Sequence, residues 1–383
     1  MFKPFVLGLG LFALPPVALA GTPVKPPPAV VDQATSAPRV QIALLLDTSG
    51  SMDGLIDQAR RQMWTVVNTF QKARRGEQLA RLEIALYEYG KSDLAAEAGY
   101  MRQVLPFTTD LDSVSEKLFA LRTNGGDEYC GQVIQKATTQ LAWSKSREDL
   151  KLIYIAGNEP FNQGPVPFAT AIANAKEHGI IVNTVHCGGA EVGARDGWTA
   201  AAALAQGQAL NIDQNRAVAQ ATTPQDAELA RLSGELNQTY LGYGSGGREG
   251  KARQVAQDSN AAPSPSVAAS RAVSKASRLY DNSSWDLVDG SKSGAVKLDT
   301  LKDEELPSEL QGKSVEERKA VVAAKAKERE AIQERIVKLK GEREKYLSEQ
   351  QAVRPASAGP DTLDTAIIQS VRKQAAGQKL TLE

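Results

Sequence analysis

The stretch Leu44–Gly54, LLLDTSGSMDG, ends an apolar run on an aspartate and then places hydroxyls at alternate positions, Ser49 and Ser51. Together with the residues before it, Val40 to Leu46 (VQIALLL) reads as a strand buried on both faces, the pattern of the centre of a parallel sheet. Asp47 then falls at the carboxyl end of that strand. In open α/β sheets this end faces the crevice where ligands bind, and one carboxylate with two hydroxyls is the hard-oxygen chemistry that Mg²⁺ selects.

Working outward, further strand-like runs are RLEIALYEYG (81 to 90), MRQVLPF (101 to 107), LKLIYIA (150 to 156), IIVNTVHC (180 to 187) and a short ALNI (209 to 212). Helical patterns separate them near 54 to 74, 111 to 121, 128 to 143, 167 to 178 and 197 to 206. Each parallel crossover needs a helix, so the alternation predicts an α/β domain with a doubly wound, mostly parallel six-stranded sheet. A last helix, opened by Thr223-Pro224 and running through Leu236, is expected to pack against it, giving a domain over 39–242.

The C-terminal part is expected to be a largely helical, partly disordered extension. GYGSGG (242 to 247) reads as a flexible exit, and 243–312 as a linker and irregular segment in which WDLVDG (285 to 290) docks on a neighbour. A capping box at Ser314-Val315-Glu316-Glu317 opens a long charged helix over 313–350. Its narrow stripe of Val322, Arg329, Ile332, Ile336, Leu339 and Tyr346 fits a helix folded back on the domain or a coiled coil with a partner. Residues 351–383 form a tail with a short helix.

The chain has 383 residues, with Lys+Arg and Asp+Glu equal at 45 each, so no global field favours nucleic acid or an anionic membrane. The first residues, MFKPFVLGLGLFALPPVALA, combine a lysine, an apolar run and the small-x-small pattern Ala18-Leu19-Ala20. They read as a signal peptide over 1–20, followed by a Pro-rich linker over 21–38. The apolar run is far short of the ~20 residues that span a bilayer. A secreted or periplasmic chain is expected, with no stable membrane span in its mature form. Two cysteines in an oxidising compartment permit one disulfide, Cys130 to Cys187, worth about 4 kcal/mol in the chain-entropy model. Two buried free thiols are the alternative.

With Asp-x-Ser-x-Ser placed between a buried strand and a helix, the chain resembles the von Willebrand factor A (VWA) family, whose metal-ion-dependent adhesion site begins with this motif. The resemblance covers residues 40 to 213 and leaves out the C-terminal half. It implies one Mg²⁺, with Mn²⁺ and Ca²⁺ as alternatives, held by Asp47, Ser49 and Ser51 and by two later loops. The family usually supplies a threonine just after a Gly-Gly pair and an aspartate at the end of the fourth strand. This sequence departs at both places. In TNGGDEYCG (123 to 131) Glu128 takes the threonine's position, with Asp127 beside it, and in IYIAGNEPF (153 to 161) Gly157 takes the aspartate's, followed by Asn158 and Glu159. Asp127, Glu128, Asn158 and Glu159 are therefore the candidates to complete the metal site.

The leading expectation is an exported, non-enzymatic protein that binds a protein or cell-surface ligand through this metal, the partner offering an acidic side chain. A metal-stiffened scaffold, or assembly and self-association through the C-terminal helix, is the alternative; a metal-dependent hydrolase comes third. Against the hydrolase stand only two histidines, His178 and His186, and no nucleophile with an adjacent base.

Overall fold

The protein is described by a computed structural model over residues 37–215, 221–352 and 362–382. The expected signal peptide, nearly all of the Pro-rich segment and part of the tail lie outside the described residues. Among the described residues no helix is long and apolar enough to cross a membrane.

Six strands, β1 (Arg39–Asp47), β2 (Arg81–Tyr89), β3 (Met101–Thr108), β4 (Leu150–Gly157), β5 (Ile181–His186) and β6 (Ala209–Asn211), form one sheet in the order β3-β2-β1-β4-β5-β6. Only β2 and β3 pair antiparallel; every other neighbour is parallel. The order reverses beside β1, so the gap between the loops that follow β1 and β4 is the switch point of the sheet. Asp47 stands there.

Strand β1 is central because both of its faces are apolar. Val40, Ile42 and Leu46 join one core, and Ala43 and Leu45 join the other. The first core is closed by α1 (Asp53–Thr69) and α2 (Leu111–Ala120), the second by α3 (Cys130–Gln140) and α4 (Phe168–Glu177). Two short helices, α5 (Ala190–Arg195) and α6 (Trp198–Leu204), follow β5, and Trp198 of α6 packs edge-on against Phe161.

The remaining helices are α7 (Asp226–Asn237), α8 (Gly247–Ala261), α9 (Pro265–Lys275), α10 (Leu287–Ser293), α11 (Val315–Ala352) and α12 (Leu363–Gly377). Residues 243–312, expected to be a linker, thus carry three helices. GYGSGG is a tight turn rather than a flexible exit: Gly242 bridges to Asp286, and its backbone lies so close to Gly247 that a Cβ on either would meet the other at 2.6 Å. Small residues are required there by close backbone approach.

Helix α12 belongs to the α/β core. Leu363, Ile367 and Val371 enter the cluster closed by α1, and Tyr154 of β4 exchanges a hydroxyl hydrogen bond with Ser370. The first free N–H groups of α12 are satisfied from α1: Leu363 N donates to Gln58 Oε1 at 3.0 Å and Asp364 N to Gln62 Oε1 at 2.9 Å. The expected capping box of α11 forms, with Ser314 N donating to Glu317 Oε2 at 2.8 Å and Glu317 N to Ser314 Oγ at 3.3 Å. Val322, Arg329, Ile332 and Ile336 of the expected stripe are buried within this chain, and Leu339 and Tyr346 are half-buried, so this helix folds back on the domain.

Candidate metal centre

Asp47 is fully buried, since it ends a strand enclosed on both faces. Its Oδ1 accepts the Ser49 backbone N–H at 2.7 Å, a turn that starts the loop, whereas Oδ2 has no hydrogen-bond partner. A buried acceptor left unmatched is costly, and a cation is one group that can satisfy it. Ser49 and Ser51 present their hydroxyl oxygens 3.5 Å apart, Ser49 buried and Ser51 exposed.

The second loop reaches this point. Glu128 is buried, and Gly90 separates it from Asp47: a Cβ at Gly90 would lie 2.7 Å from Asp47 Oδ1 and 2.9 Å from Glu128 Cγ. Gly90 also has φ +77°, so it serves both the close approach and the left-handed turn after β2. Burial, with repulsion from Glu128 and Glu159, pushes the Asp47 carboxyl up to about 7, although the bonds from Ser49 favour its charged form. Burial, followed by repulsion from Glu159, pushes Glu128 up to about 7 as well. Desolvation and like charge act in the same direction on both groups.

The third loop contributes less. Asn158 donates its amide to Ser51 Oγ at 3.3 Å, and its Oδ1 is buried without a partner. Glu159 is exposed, and its backbone carbonyl accepts the Trp198 indole N–H at 2.9 Å. Asp127 is also exposed and accepts the Tyr129 hydroxyl at 3.2 Å. The structure thus brings Asp47, Ser49, Ser51, Glu128 and Asn158 together and leaves Asp127 and Glu159 on the surrounding rim. Among the described residues no group of three or more His, Cys, Asp and Glu side chains is placed to hold a metal ion, so any such site here must rest on hydroxyls as well as acids.

Tyr89, which packs against Gly157, is the residue that sequence reasoning missed. Tyr89 is fully buried and donates its hydroxyl to Ala156 O at 3.0 Å. A Cβ on Gly157 would lie 2.7 Å from that hydroxyl and 3.0 Å from Asp47 Oδ2. The tyrosine therefore occupies the room an acid on the fourth strand would need. The signal was present in LYEYG, where a tyrosine meets a glycine at a strand end, but it carries no chemistry by itself.

The expected disulfide is absent: Cys130 and Cys187 are both free and buried. They pack into opposite cores, Cys187 with the α1 side and Cys130 with the α3 side, and a sheet lies between them. Cys130 Sγ contacts the Tyr89 hydroxyl at 3.9 Å, and burial raises both thiols far above their usual range. His186, next to Cys187, is buried with neither ring nitrogen hydrogen-bonded, while His178 Nδ1 contacts Asn174 O of its own helix at 2.8 Å.

The fold and this rim define a doubly wound α/β domain with a hard-oxygen centre at its switch point. Residues 41–206 match the family model of the von Willebrand factor type A domain. No curated protein matches the chain. Among solved structures it is similar to the conserved hypothetical protein BatB from Bacteroides thetaiotaomicron, with 17% identity and a TM-score of 0.35 over 45% of this chain and 90% of that one. It is also similar to the SpRpn10 VWA domain, with 14% identity and a TM-score of 0.34 over 45% and 87%. A third likeness is to an aerotolerance-related membrane protein from Bacteroides fragilis NCTC 9343, with 15% identity and a TM-score of 0.32 over 45% and 92%.

Proposed function

We propose that this chain is an exported, non-enzymatic binding protein whose VWA domain engages a protein or surface ligand at the carboxyl-end rim of its sheet, with a divalent cation seated at Asp47. Export rests on the leader-like first residues. The observation that carries the metal is Asp47 itself, a fully buried carboxylate with one oxygen unmatched and a second carboxylate, Glu128, beside it. Asp47, Ser49, Ser51 and Glu128 would hold the ion, and Asn158 borders it. These are the oxygen donors that Mg²⁺ or Mn²⁺ takes, usually with retained waters.

When bound, the ion supplies the positive charge that two desolvated acids lack. Ser49 and Ser51 fix the first loop, and Glu128 ties the second loop to it. This supports a close second reading, the metal-stiffened scaffold: Glu128 satisfies the ion from within the chain, which leaves less of its charge for a partner. Hydrolysis has the least support, because His186 is sealed among Trp198 and backbone and His178 caps its own helix.

Titration calorimetry of the full chain with Mg²⁺, Mn²⁺ and Ca²⁺ tests the proposal. Binding of at least one ion, lost in Asp47→Ala, is the expected result. No binding to the unaltered protein overturns it.

A further inference from the structure

The whole chain is neutral, yet the loops over the switch point are not. Residues 47–53, 90–94, 122–129 and 158–160 carry six carboxylates against two cations, so the rim stays negative even with a divalent ion in place. Both cations are already engaged. Lys91 lies 3.7 Å from Asp93, and Arg122 donates to Phe119 O at 2.9 Å and Leu121 O at 2.7 Å in its own chain.

Three of these acids accept neutral donors of the second loop, Asp93 in addition to its contact with Lys91. Asp53 accepts the Thr123 hydroxyl, Asp93 the Asn124 amide at 2.6 Å, and Asp127 the Tyr129 hydroxyl at 3.2 Å. Neutral donors fix a carboxylate's direction without cancelling its charge. Glu159, exposed on the third loop, continues the ring. Asp47 Oδ2, buried and unmatched at the middle of this ring, points to a positive charge at its centre.

We infer that the rim receives a lysine- or arginine-rich segment of a partner protein, and not the acidic side chain expected from the resemblance. This rests on the reading of the rim as the binding face. A divalent ion between Asp47 and Glu128 is compensated from inside and has little attraction left for a further carboxylate. An incoming acid also has to pass Asp53, Asp93, Asp127 and Glu159. Facing like charges oppose association, whereas a basic segment is steered in and placed against acids already oriented.

The test is fluorescence anisotropy of labelled oligolysine and oligoglutamate peptides with the full chain in Mg²⁺, alongside Mn²⁺ calorimetry on the same protein. Oligolysine is expected to bind at least tenfold tighter than oligoglutamate, and to weaken as salt rises. In a triple variant, Asp93→Asn, Asp127→Asn and Glu159→Gln, that binding should fall at least tenfold while Mn²⁺ binding is kept. The exposed acids of α11, changed as Glu316→Gln, Glu330→Gln and Glu342→Gln, form the control and should leave oligolysine affinity unaltered. Tighter oligoglutamate binding, or equal loss in the two triple variants, overturns the inference. Failure of Mn²⁺ to bind while rim-dependent oligolysine binding persists overturns the metal centre and leaves this inference standing.

Discussion

A Cβ on Gly157 would lie 2.7 Å from the Tyr89 hydroxyl and 3.0 Å from Asp47 Oδ2, so the fourth-strand position beside Asp47 admits no larger residue without a shift. Gly157→Ala is therefore expected to cost about 1–3 kcal/mol by overpacking, measured by urea unfolding. In a Tyr89→Phe background the same change should cost less, and equal costs in the two backgrounds would contradict the steric account. Asp47, Ser49 and Ser51 were legible because spacing and strand context coincide at one loop, and Glu128 because a Gly-Gly pair points to it. What replaces the fourth-strand acid was not legible. Tyr89 and Gly157 are far apart in the chain, and only the sheet brings the hydroxyl into the glycine's empty side. The acids make a second prediction. Asp47 and Glu128 have folded values near 7, above the ordinary 3.8 and 4.5, so the metal-free fold binds more protons than the unfolded chain between these limits. Their stabilising share is complete below about pH 4 and is lost as pH rises to about 7. Unfolding in EDTA at pH 5 and pH 8 should show the drop, and added Mg²⁺ should restore stability at pH 8. A flat profile in EDTA would count against two desolvated acids.

At the scale of elements, the sheet was readable since its central strands β1 and β4 are apolar on both faces, and the capping box of α11 was readable as a local pattern. The helices between 243 and 312 were not. Helices α8 and α9 bury polar side chains whose partners are distant: Arg271 pairs with Asp112 of α2 at 2.6 Å and stacks 4.6 Å from the Trp64 ring, and Lys275 reaches Asp258 at 3.0 Å. A composition rich in serine, alanine and charge looks solvated until those partners are known. Helix α11 shows the same principle. Arg329 sits in its apolar stripe because it bonds Asp286 at 2.8 Å, Asp289 at 2.7 Å and Thr239 O at 2.7 Å, and lies 3.8 Å over the Tyr240 ring. Arg329→Met leaves two acids facing each other without their cation and should cost about 3–5 kcal/mol in chemical denaturation. Combined with Asp286→Asn it should cost clearly less than the two changes summed, and strict additivity would show that the pair is not coupled.

At the scale of the molecule, the α/β domain is not closed by its own segment of chain. Helix α12 returns from the far end to cap the core beside α1, and Gln58 and Gln62, which look like solvent-facing residues of α1 in sequence, are buried to receive it. Removal of residues 301–383 should therefore unfold or loosen the α/β domain instead of releasing a separate tail. Near-ultraviolet circular dichroism and a urea transition check this; an unchanged cooperative transition would show that the C-terminal helices are dispensable to the core. The scaffold role proposed for those helices and the binding role proposed for the rim would be joined through this packing, since α1, which follows the first site loop, is the helix that α9 and α12 clasp. The most direct measurement is diffraction at the manganese absorption edge from crystals of the full chain grown with Mn²⁺. An anomalous peak at coordination distance from Asp47 Oδ2, shared with Glu128 and the Ser49 and Ser51 hydroxyls, is the expected result. A fully ordered rim with no peak beside Asp47 at saturating Mn²⁺ would contradict it.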